Sequence, residues 1–320
     1  MSMGMVLEPL QELKVTVIID NVADLIAQGN EVAERRPIFT GDRVTPPLLA
    51  EHGLSIFISA TTTGGESRHI LLDAGLTEEG LLYNLKRMDL PLDRTDMMVL
   101  SHGHFDHFGA LKRLYQEGVV PRNTPLLLHP KAFCQRGIRD PQGGLHPFPR
   151  LEKDELEALG VEILESRDPS LQLGGVMLVT GEIPRQTPFE VGFPMGYRLE
   201  KGEAVRDDIP DDQALAFMVK GKGIVAVLGC GHSGVINTLD HISSLTKENR
   251  IHAVIGGFHL SGAVFEESIV PTIHRLKEKE VRWVVPTHCT GFKAQCRFAK
   301  EMPQQFIYCC LGTTFRFSAC

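Results

Sequence analysis

The chain lacks both a long hydrophobic run and an excess of positive charge. No apolar stretch approaches the ~20 residues that a membrane-spanning helix needs. The first residues, MSMGMVLEPLQELK, include acidic side chains and no apolar core of a signal peptide. Lys and Arg number 33 against 40 Asp and Glu, a formal net charge of −7, whereas general nucleic-acid-binding proteins are usually basic. These absences predict a cytoplasmic protein that binds neither membrane nor nucleic acid.

Cysteines are few and irregularly spaced. The number, seven, is odd, and the spacing fits neither a disulfide framework nor a zinc knuckle. We therefore expect reduced thiols, as is usual in cytoplasmic proteins. Five of the cysteines lie late in the chain, namely Cys289, Cys296, Cys309, Cys310 and Cys320. They leave open an alternative function, a non-catalytic or redox-sensing ligand-binding protein.

Apolar runs alternate with helical patterns along much of the chain. Hydrophobic residues make up 42% of the 320 residues, which is enough for a sizeable core. Runs rich in β-branched residues predict strands at 13–20, 54–62, 68–75, 96–103, 124–130, 173–181, 213–229, 251–259 and 281–288. A Gly-Lys-Gly turn at 221–223 splits one run into a hairpin. Apolar periodicity predicts helices at 77–88, 108–118, 233–247 and 267–280. This order predicts an α/β fold.

Two long segments do not follow this alternation. Residues 131–212 include a stretch rich in Gly, Pro and charge, RGIRDPQGGLHPFPRLEKDE. Loops of this length are usually functional or insertions, so we interpret 131–212 as an insertion over the core that acts as a lid. Residues 21–53 form another long polar connection.

The segment MMVLSHGHFDHFGAL, residues 97–111, places three histidines and an aspartate directly after a predicted strand. Residues two apart in an extended chain face the same way, so His102 and His104 can converge on one ion. Asp106 and His107 stand where a helix begins and can face a second ion. Imidazole and carboxylate ligands suit zinc, iron or manganese, with zinc the commonest. A surface loop with coincidental histidines is the disfavoured alternative.

This HxHxDH string resembles the signature of the metallo-β-lactamase superfamily. The resemblance implies a single domain over 1–320, an α/β four-layer αββα sandwich with the 131–212 insertion over the active site. It also implies two divalent metal ions, zinc first, with manganese, iron and magnesium as alternatives. LLDAG at 71–75 resembles the strand end just upstream of the signature. Asp73 would there orient a metal-binding histidine through its free ring nitrogen; a turn aspartate is the alternative.

Further metal ligands are expected at the ends of later strands. His288 in VRWVVPTHCTG matches the position of the last metal-binding histidine of the superfamily. Many relatives have a bridging aspartate at the strand end that here reads IVAVLGCGHSG; we interpret His232 as the ligand and Cys230 as a buried thiol or secondary contact. His259 in IGGFHLSG is a candidate metal ligand, substrate contact or general acid, and with Asp106 it is a candidate catalytic residue. The other histidines are expected to be solvated or structural: His52, His69, His129, His146, His241, His252 and His274.

One ligand of the superfamily pattern has no histidine here. Many members have one between the main motif and the bridging position, but the strand end at 176–190 reads VMLVTGEIPRQTPFE. Glu182 is the candidate to take its place. Arg185 would suit an anionic substrate group. An exposed ion pair is the alternative for both.

The stretch GCGHSG at 229–234 fits the spacing GxGxxG after a strand and before a helix. Dinucleotide binding is disfavoured, because no acidic residue ends a second strand about 20 residues further on. A Gly-rich turn at a helix N-terminus still offers free N–H groups to an anion. Gly231, Ser233 and Gly234 are therefore candidate contacts to a substrate phosphate or carboxylate.

Four further segments resemble one subgroup of the superfamily: LVTGEIPR (178–185), LGCGHSGVINTL (228–239), IGGFHLSG (255–262) and VPTHCTGFKA (285–294). With SHGHFDHFGAL they are similar to the 7,8-dihydropterin-6-methyl-4-(β-D-ribofuranosyl)aminobenzene-5′-phosphate synthases. That resemblance implies the joining of a pterin-methyl diphosphate to a ribosyl-aminobenzene phosphate with release of diphosphate.

Two reactions are compatible with these residues. The history of the fold favours hydrolysis of a phosphoester, and the subgroup resemblance favours the dihydropterin-methyl transfer. Both predict an anionic small-molecule substrate, a pterin or a phosphoester. A homo-oligomer is compatible with the sequence.

Overall fold

The computed structural model describes residues 4–320. The strands are Pro9–Ile19 (β1), Ala33–Glu34 (β2), Phe39–Thr40 (β3), Arg43–Val44 (β4), Ser55–Thr62 (β5), Ser67–Leu72 (β6), Met97–Val99 (β7), Leu126–Leu128 (β8), Arg136–Arg139 (β9), Leu145–Pro147 (β10), Ile163–Glu165 (β11), Ser170–Gln172 (β12), Met177–Val179 (β13), Gly196–Glu200 (β14), Glu203–Arg206 (β15), Ala214–Val219 (β16), Gly223–Leu228 (β17), Ile251–Gly257 (β18), Trp283–Thr287 (β19) and Thr314–Ser318 (β20). The helices are Glu78–Leu85 (α1), Phe105–Phe108 (α2), Leu111–Gln116 (α3), Lys153–Ala158 (α4), Val235–Thr246 (α5), Glu266–Glu278 (α6) and Phe292–Glu301 (α7).

Strand β1 joins the two halves of the largest sheet. The order across that sheet is β11-β8-β7-β6-β5-β1-β16-β17-β18-β19. Only Pro9 and Leu10 of β1 pair with β16, while the rest of the strand pairs with β5 and β20. The sheet is therefore continuous through a short contact at the start of β1, and its halves are free to face each other.

Three hydrophobic clusters define four layers. The first lies between the sheet halves and includes Val15 of β1 and Phe217 of β16. The second packs α5, α6 and α7 on the outer face of one half, as Ile236 and Ile273 show. The third packs α1, α3 and α4 on the outer face of the other half, where Leu114 is fully buried. Each sheet half thus buries one face against the other half and one against helices, which gives the four-layer αββα sandwich expected from the sequence.

The same edge of the sheet collects the ends of many strands. Strands β6, β7 and β8 are parallel, as are β17, β18 and β19. Strand β1 runs with β6, because each is antiparallel to β5. The segments that follow β1, β6, β7, β17, β18 and β19 consequently meet at one end of the molecule, where ligands bind in layered α/β proteins.

The middle part of the predicted insertion, 131–212, belongs to the core of the fold. Within 131–212, strands β11, β12 and β13 belong to the large sheet, and α4 packs on it. The two flanks, which contain β9 and β10 before this part and β14 and β15 after it, form a separate four-stranded sheet in the order β10-β9-β14-β15. Strand β13 lies within the predicted strand at 173–181, whereas β11 and β12 are only three residues each, too short to show a period.

Among residues 4–320, no helix combines the length and the apolar character needed to cross a membrane.

Candidate metal centre

Three imidazoles converge at the edge of the sheet where β7 and β17 end. His104 Nδ1 lies 3.0 Å from His102 Nε2 and 3.1 Å from His232 Nε2. All three rings are buried. Burial lowers the pKa of His104 to about 3 and also lowers the pKa values of His102 and His232. The rings are therefore neutral at pH 7, and their lone pairs are available to a metal ion.

A second group gathers around the carboxylate of Asp106, at the start of α2. Asp106 Oδ2 is 3.4 Å from His288 Nε2, 3.5 Å from His52 Nε2 and 3.8 Å from His107 Nε2. Burial alone would raise the pKa of Asp106, but the imidazoles of His107 and His288 lower it below its usual range. The carboxylate stays ionised and aims at the space between three imidazoles.

Cys230 stands between the two groups. Its Sγ lies 3.2 Å from His107 Nε2, and with His102 and His107 it forms a further set of ligating atoms within 4.8 Å of one another. The thiol is buried and in no disulfide. It thus offers a sulfur donor beside both groups of side chains.

Asp73, directly after β6, holds His107 in position. Its Oδ2 lies 2.6 Å from His107 Nδ1, and its Oδ1 accepts a hydrogen bond of 2.7 Å from Ser101 N. Burial alone would lower the pKa of His107, yet the carboxylates of Asp73 and Asp106 raise it to about 9. The contact to Nδ1 leaves His107 Nε2 facing the cluster, the arrangement typical of a metal-binding histidine and its supporting carboxylate.

His288 is held by the residues that follow β1. Its backbone N donates to Asp20 Oδ1 at 2.9 Å, and its Nδ1 lies 3.2 Å from Asn21 Oδ1. Asp20 also accepts a hydrogen bond from the Thr287 hydroxyl. His288 Nε2 is buried and has no hydrogen-bond partner. It points toward Asp106, which leaves this nitrogen available to a ligand.

Three residues at this edge have left-handed backbone angles although none is glycine. Asp73 has φ 60°, His259 has φ 46° and His288 has φ 48°. Such angles are uncommon for residues with a Cβ and concentrate at functional sites, where surrounding contacts hold them. The strain fixes the directions in which these three side chains point.

The turn between His102 and His104 is fixed by a buried ion pair. Gly103 N donates to Asp211 Oδ2 at 2.7 Å, and Asp211 Oδ1 accepts from Arg136 Nη2 at 2.9 Å. A Cβ on Gly103 would lie 2.2 Å from Ala132 O. A residue with a side chain at position 103 would therefore push apart the turn that carries the two imidazoles.

Two predicted contacts are engaged elsewhere. Glu182 Oε1 lies 3.0 Å from His129 Nε2, and Glu182 is in none of the ligand sets found among residues 4–320. Arg185 donates a hydrogen bond of 2.6 Å to the carbonyl oxygen of His232 and another to that of Asp208. The guanidinium thus supports the loop of His232, and this occupancy argues against a contact to an anionic substrate.

The helix N-terminus predicted to bind an anion already holds two carboxylates of the chain. Glu190 accepts hydrogen bonds from Ile236 N at 2.7 Å and Asn237 N at 2.8 Å. Asp212 Oδ2 accepts one from Ser233 N at 2.8 Å. The predicted anion contact by Gly231, Ser233 and Gly234 stays a prediction, but the N–H groups of Ser233, Ile236 and Asn237 are already satisfied within the chain, which argues against it.

Glycine is required in that turn for close packing. A Cβ on Gly234, which has φ 97°, would lie 2.1 Å from Glu190 Cδ. A Cβ on Gly231 would lie 2.7 Å from Gly257 O. The glycines that imitate a dinucleotide motif here allow Glu190 and β18 to pack closely against the turn.

A cavity of about 440 Å³ opens above the cluster. Its lining includes His104, Asp106, His232 and His288 at the floor. Its remaining lining residues are Asn21, His52, Phe105, Ile138, Phe148, Phe193, Cys230, His259, Ser261, Cys289 and Gly291. A volume in this range suits a small-molecule ligand.

Aromatic rings form one side of this cavity. The Phe193 ring lies 5.8 Å from that of His104, 5.9 Å from that of His232 and 5.5 Å from that of His259. Phe148 stands 5.8 Å from His104 and 5.2 Å from Phe105. Phe148 and Phe193 come from the two flanks of the predicted insertion, so those flanks cover the histidine cluster with flat apolar surface.

Sequence reasoning missed several of these residues. His52 was expected to be solvated or structural, yet it faces Asp106, and no strand precedes it to signal this. Asp20 and Asn21 end a predicted strand and were detectable by the same strand-end rule that selected His288. Arg136 and Asp211 could not be found this way, since both lie within 131–212 and meet only in the folded structure.

The donor set suits divalent metal ions. The buried imidazoles of His102, His104 and His232 are neutral and their nitrogens face one another. An ionised carboxylate and a thiol lie beside them, so many lone pairs point at common positions. His288 Nε2 is a buried polar atom without a hydrogen-bond partner, and such atoms are costly. A cation placed beside it would remove that cost.

Comparison with known proteins gives matches over most of the chain. A profile of the metallo-beta-lactamase superfamily matches residues 51–239. Over 275 residues the chain is 34% identical to a Methanocaldococcus jannaschii protein named 7,8-dihydropterin-6-methyl-4-(beta-D-ribofuranosyl)-aminobenzene-5′-phosphate synthase, and the alignment covers 85% of this chain and 92% of the relative. An uncharacterized protein of the same organism is 29% identical over 262 residues, 82% of this chain and 91% of its own length.

Among solved structures, the fold is similar to that of Tm1679, described as a metal-dependent hydrolase of the beta-lactamase superfamily. The TM-score is 0.72, and the superposition covers 96% of this chain and 99% of that one at 23% identity. The two chains share their architecture over nearly their whole length.

Proposed function

The chain belongs to the metallo-β-lactamase superfamily, and from this premise we propose that it is a metal-dependent enzyme that acts on a phosphorylated small molecule. The observation that carries the proposal is the convergence of ligating side chains from separate strand ends on the floor of one cavity. His102, His104 and His232 form one set, and Asp106 and His288 belong to another. All of them lie at the edge where this class of fold binds its ligands.

The proposed centre holds two divalent ions. One ion would be held by His102, His104 and His232. The other would be held by Asp106, His107 and His288, with Cys230 between the two. Imidazole and thiolate donors favour zinc, and iron, manganese or magnesium are the alternatives. When bound, such ions would supply Lewis acidity to phosphoryl oxygens and neutralise a diphosphate leaving group.

The chain's own residues would orient the substrate. Phe148 and Phe193 offer flat apolar surfaces above the histidines, which suits a planar heteroaromatic ring. The phosphate-bearing end would then point to the floor of the cavity, because the helix N-terminus beside it is already filled by Glu190. His259 lines the same cavity with both ring nitrogens lacking a hydrogen-bond partner, so it can serve as a proton donor or as a further metal ligand.

Group transfer is the reaction that we favour. The relative named for a dihydropterin-methyl synthase is 34% identical across most of both chains. In the transfer, the aromatic amine nitrogen would form a bond to the pterin methylene carbon. The carbon–oxygen bond to diphosphate would break, the diphosphate would keep the electron pair, and the amine would release one proton to solvent.

A paired assay tests this proposal. The purified protein would be given a dihydropterin-6-methyl diphosphate together with 4-(β-D-ribofuranosyl)aminobenzene 5′-phosphate, and both coupled product and diphosphate would be measured. A parallel panel would hold phosphomonoesters and phosphodiesters. We expect equal amounts of product and diphosphate. Turnover of phosphoesters alone would instead assign hydrolysis, and tight binding without turnover of any compound would assign a sensing role.

A further inference from the structure

Three side chains that line the cavity face one another beside the two proposed metal positions. The ligating atoms of Cys230, His259 and Cys289 all lie within 4.8 Å of one another. Cys289 Sγ is 3.3 Å from Cys230 O. Both thiols are buried and in no disulfide. Two thiols and an imidazole in such proximity are a donor set typical of soft divalent metals.

The imidazole of His259 makes no hydrogen bond that would hold it in position. Its Nδ1 and Nε2 are both buried and without hydrogen bonds. The ring lies 4.1 Å from that of His232 and 4.8 Å from that of Phe265, and the residue has the left-handed φ of 46°. An imidazole held in a strained conformation with both nitrogens unsatisfied is costly, and a ligand on one nitrogen would reduce that cost.

The end of β18 leaves room for the Cys289 thiol. A Cβ on Gly257 would lie 2.6 Å from Cys289 Sγ and 2.7 Å from Gly229 O. The absence of a side chain at Gly257 therefore lets the thiol reach the strand end beside Cys230. All three donors also line the cavity, so the set is open on the substrate side.

We propose that Cys230, His259 and Cys289 form a third metal position, selective for a thiolate-binding divalent ion such as zinc. Binding would form two metal–sulfur bonds and one metal–nitrogen bond and would release the two thiol protons to solvent. Two cysteines and one histidine with an open fourth position form a known catalytic zinc set. This position assigns His259 as a ligand, and it shares with the proposed two-metal centre only Cys230.

Metal analysis and cobalt titration test the third position. Full-length protein purified without chelator would be compared with Cys289→Ser and His259→Gln, and Cys296→Ser would serve as control because Cys296 is exposed and free. We expect the bound ions to fall by one per chain in each of the first two variants and to remain unchanged in the control. In chelator-stripped protein refilled with Co²⁺, we expect the sulfur-to-cobalt charge-transfer absorption to decrease in Cys289→Ser.

Unchanged ion content and unchanged charge-transfer absorption in Cys289→Ser would overturn the third position. His102→Ala separates this result from failure of the two-metal centre, since His102 lies outside the three-residue set. If His102→Ala loses an ion while Cys289→Ser loses none, the two-metal centre stands and the third position falls. If Cys289→Ser loses an ion while His102→Ala loses none, the reverse holds. His259→Gln keeps both thiols, so its loss of an ion would count even if Cys289→Ser folded poorly.

Discussion

Asp73 Oδ2 lies 2.6 Å from His107 Nδ1, and neither side chain reaches solvent. The carboxylate fixes the ring so that Nε2 points at the proposed metal position. Asp73→Asn keeps the size of the side chain but removes its charge. Loss of such a supporting carboxylate weakens metal binding by about 10- to 100-fold. We expect that decrease when metal affinity is measured by competition with a chromogenic chelator.

Asp93→Asn is the matched control, because Asp93 is an exposed aspartate in the same α/β half of the chain. Its metal affinity should equal that of the unaltered protein. An Asp73→Asn protein with unaltered affinity would contradict the supporting role of Asp73.

The strand-end residues of the site were predictable from the sequence, and the residues that surround them were not. His102, His104, His107, His232 and His288 follow apolar runs long enough to be read as strands, and parallel strands must bring their ends to one edge. The apolar runs therefore predict that these histidines lie at one edge, and the resemblance to the superfamily implies that they bind metal.

The flanks that cover the histidine cluster, and the buried ion pairs, depend on contacts between residues that are distant in sequence. Glu190 accepts hydrogen bonds from backbone N–H groups 46 and 47 residues further along the chain. Arg136 meets Asp211 across 75 residues. Neither pair leaves a local pattern, because the strands around them are three to five residues long and pair in a separate small sheet. Helix α7 was missed because its sequence was read only as part of the motif after His288.

Asp106 is expected to be essential for the proposed metal centre. Its carboxylate faces His52, His107 and His288. Asp106→Ala would remove the only carboxylate of that ligand set and leave imidazoles and the shared Cys230 thiol to hold the ion. We expect a loss of about one ion per chain, roughly the share of one position in a two-metal site, together with loss of turnover. Elemental analysis and the paired assay on the same preparation measure both.

Asp42→Ala gives the comparison for this variant, since Asp42 is exposed on a loop remote from the cluster. The proposed centre would be refuted if Asp106→Ala kept both its metal and its activity.

The buried pair Arg136–Asp211 is expected to stabilise the fold. Arg136 is 1% exposed and also lies 3.5 Å from Asp207 Oδ2. Burial alone would raise the pKa of Asp211, and Arg136 instead lowers it below its usual value. Arg136→Met would leave the buried carboxylate of Asp211 without a cation, which costs about 3–5 kcal/mol of unfolding free energy. Urea denaturation measures this loss.

Arg139→Met on the same strand is the control, because Arg139 is exposed. It should change the unfolding free energy little. The double variant Arg136→Met with Asp211→Asn should recover part of the loss, since it removes one unpaired charge. No recovery would mean that the cost arises from packing of the arginine and not from its charge.

Glu190 is expected to make stability depend on pH. Burial raises its pKa from 4.5 to about 7, although Ile236 N and Asn237 N favour the charged form. A raised pKa means that the folded state prefers the neutral acid, so this contribution to stability is complete below pH 4.5 and is lost as the pH rises through 7. The difference between unaltered protein and Glu190→Gln should therefore shift by about 3 kcal/mol over that window.

Chemical denaturation at several pH values measures the shift. Glutamine cannot titrate, and its constant loss of one hydrogen bond to the helix N-terminus changes the offset but not the slope. Glu203→Gln, at an exposed glutamate, should run parallel to the unaltered protein. A flat difference between the Glu190→Gln and unaltered proteins from pH 4.5 to 7 would show that the carboxylate is solvated.

Phe193 is expected to govern substrate affinity more than turnover. Its ring lies within 6 Å of the rings of His104, His232 and His259 and forms part of the cavity wall. Phe193→Ala would remove a stacking surface worth about 0.5–1.5 kcal/mol to a planar substrate, which corresponds to a rise in KM of roughly 2- to 10-fold. The metal ligands lie on other elements, so kcat should fall less than KM rises.

Steady-state kinetics with the pterin diphosphate as varied substrate separates these effects. Phe193→Tyr retains the ring and should keep KM near its original value, whereas Phe39→Ala, which removes an exposed ring far from the cavity, should change neither constant. A fall in kcat and metal content with constant KM in Phe193→Ala would place the role of Phe193 in holding His104 and His232. The ring would then pack against the metal ligands and contribute nothing to the recognition of the substrate.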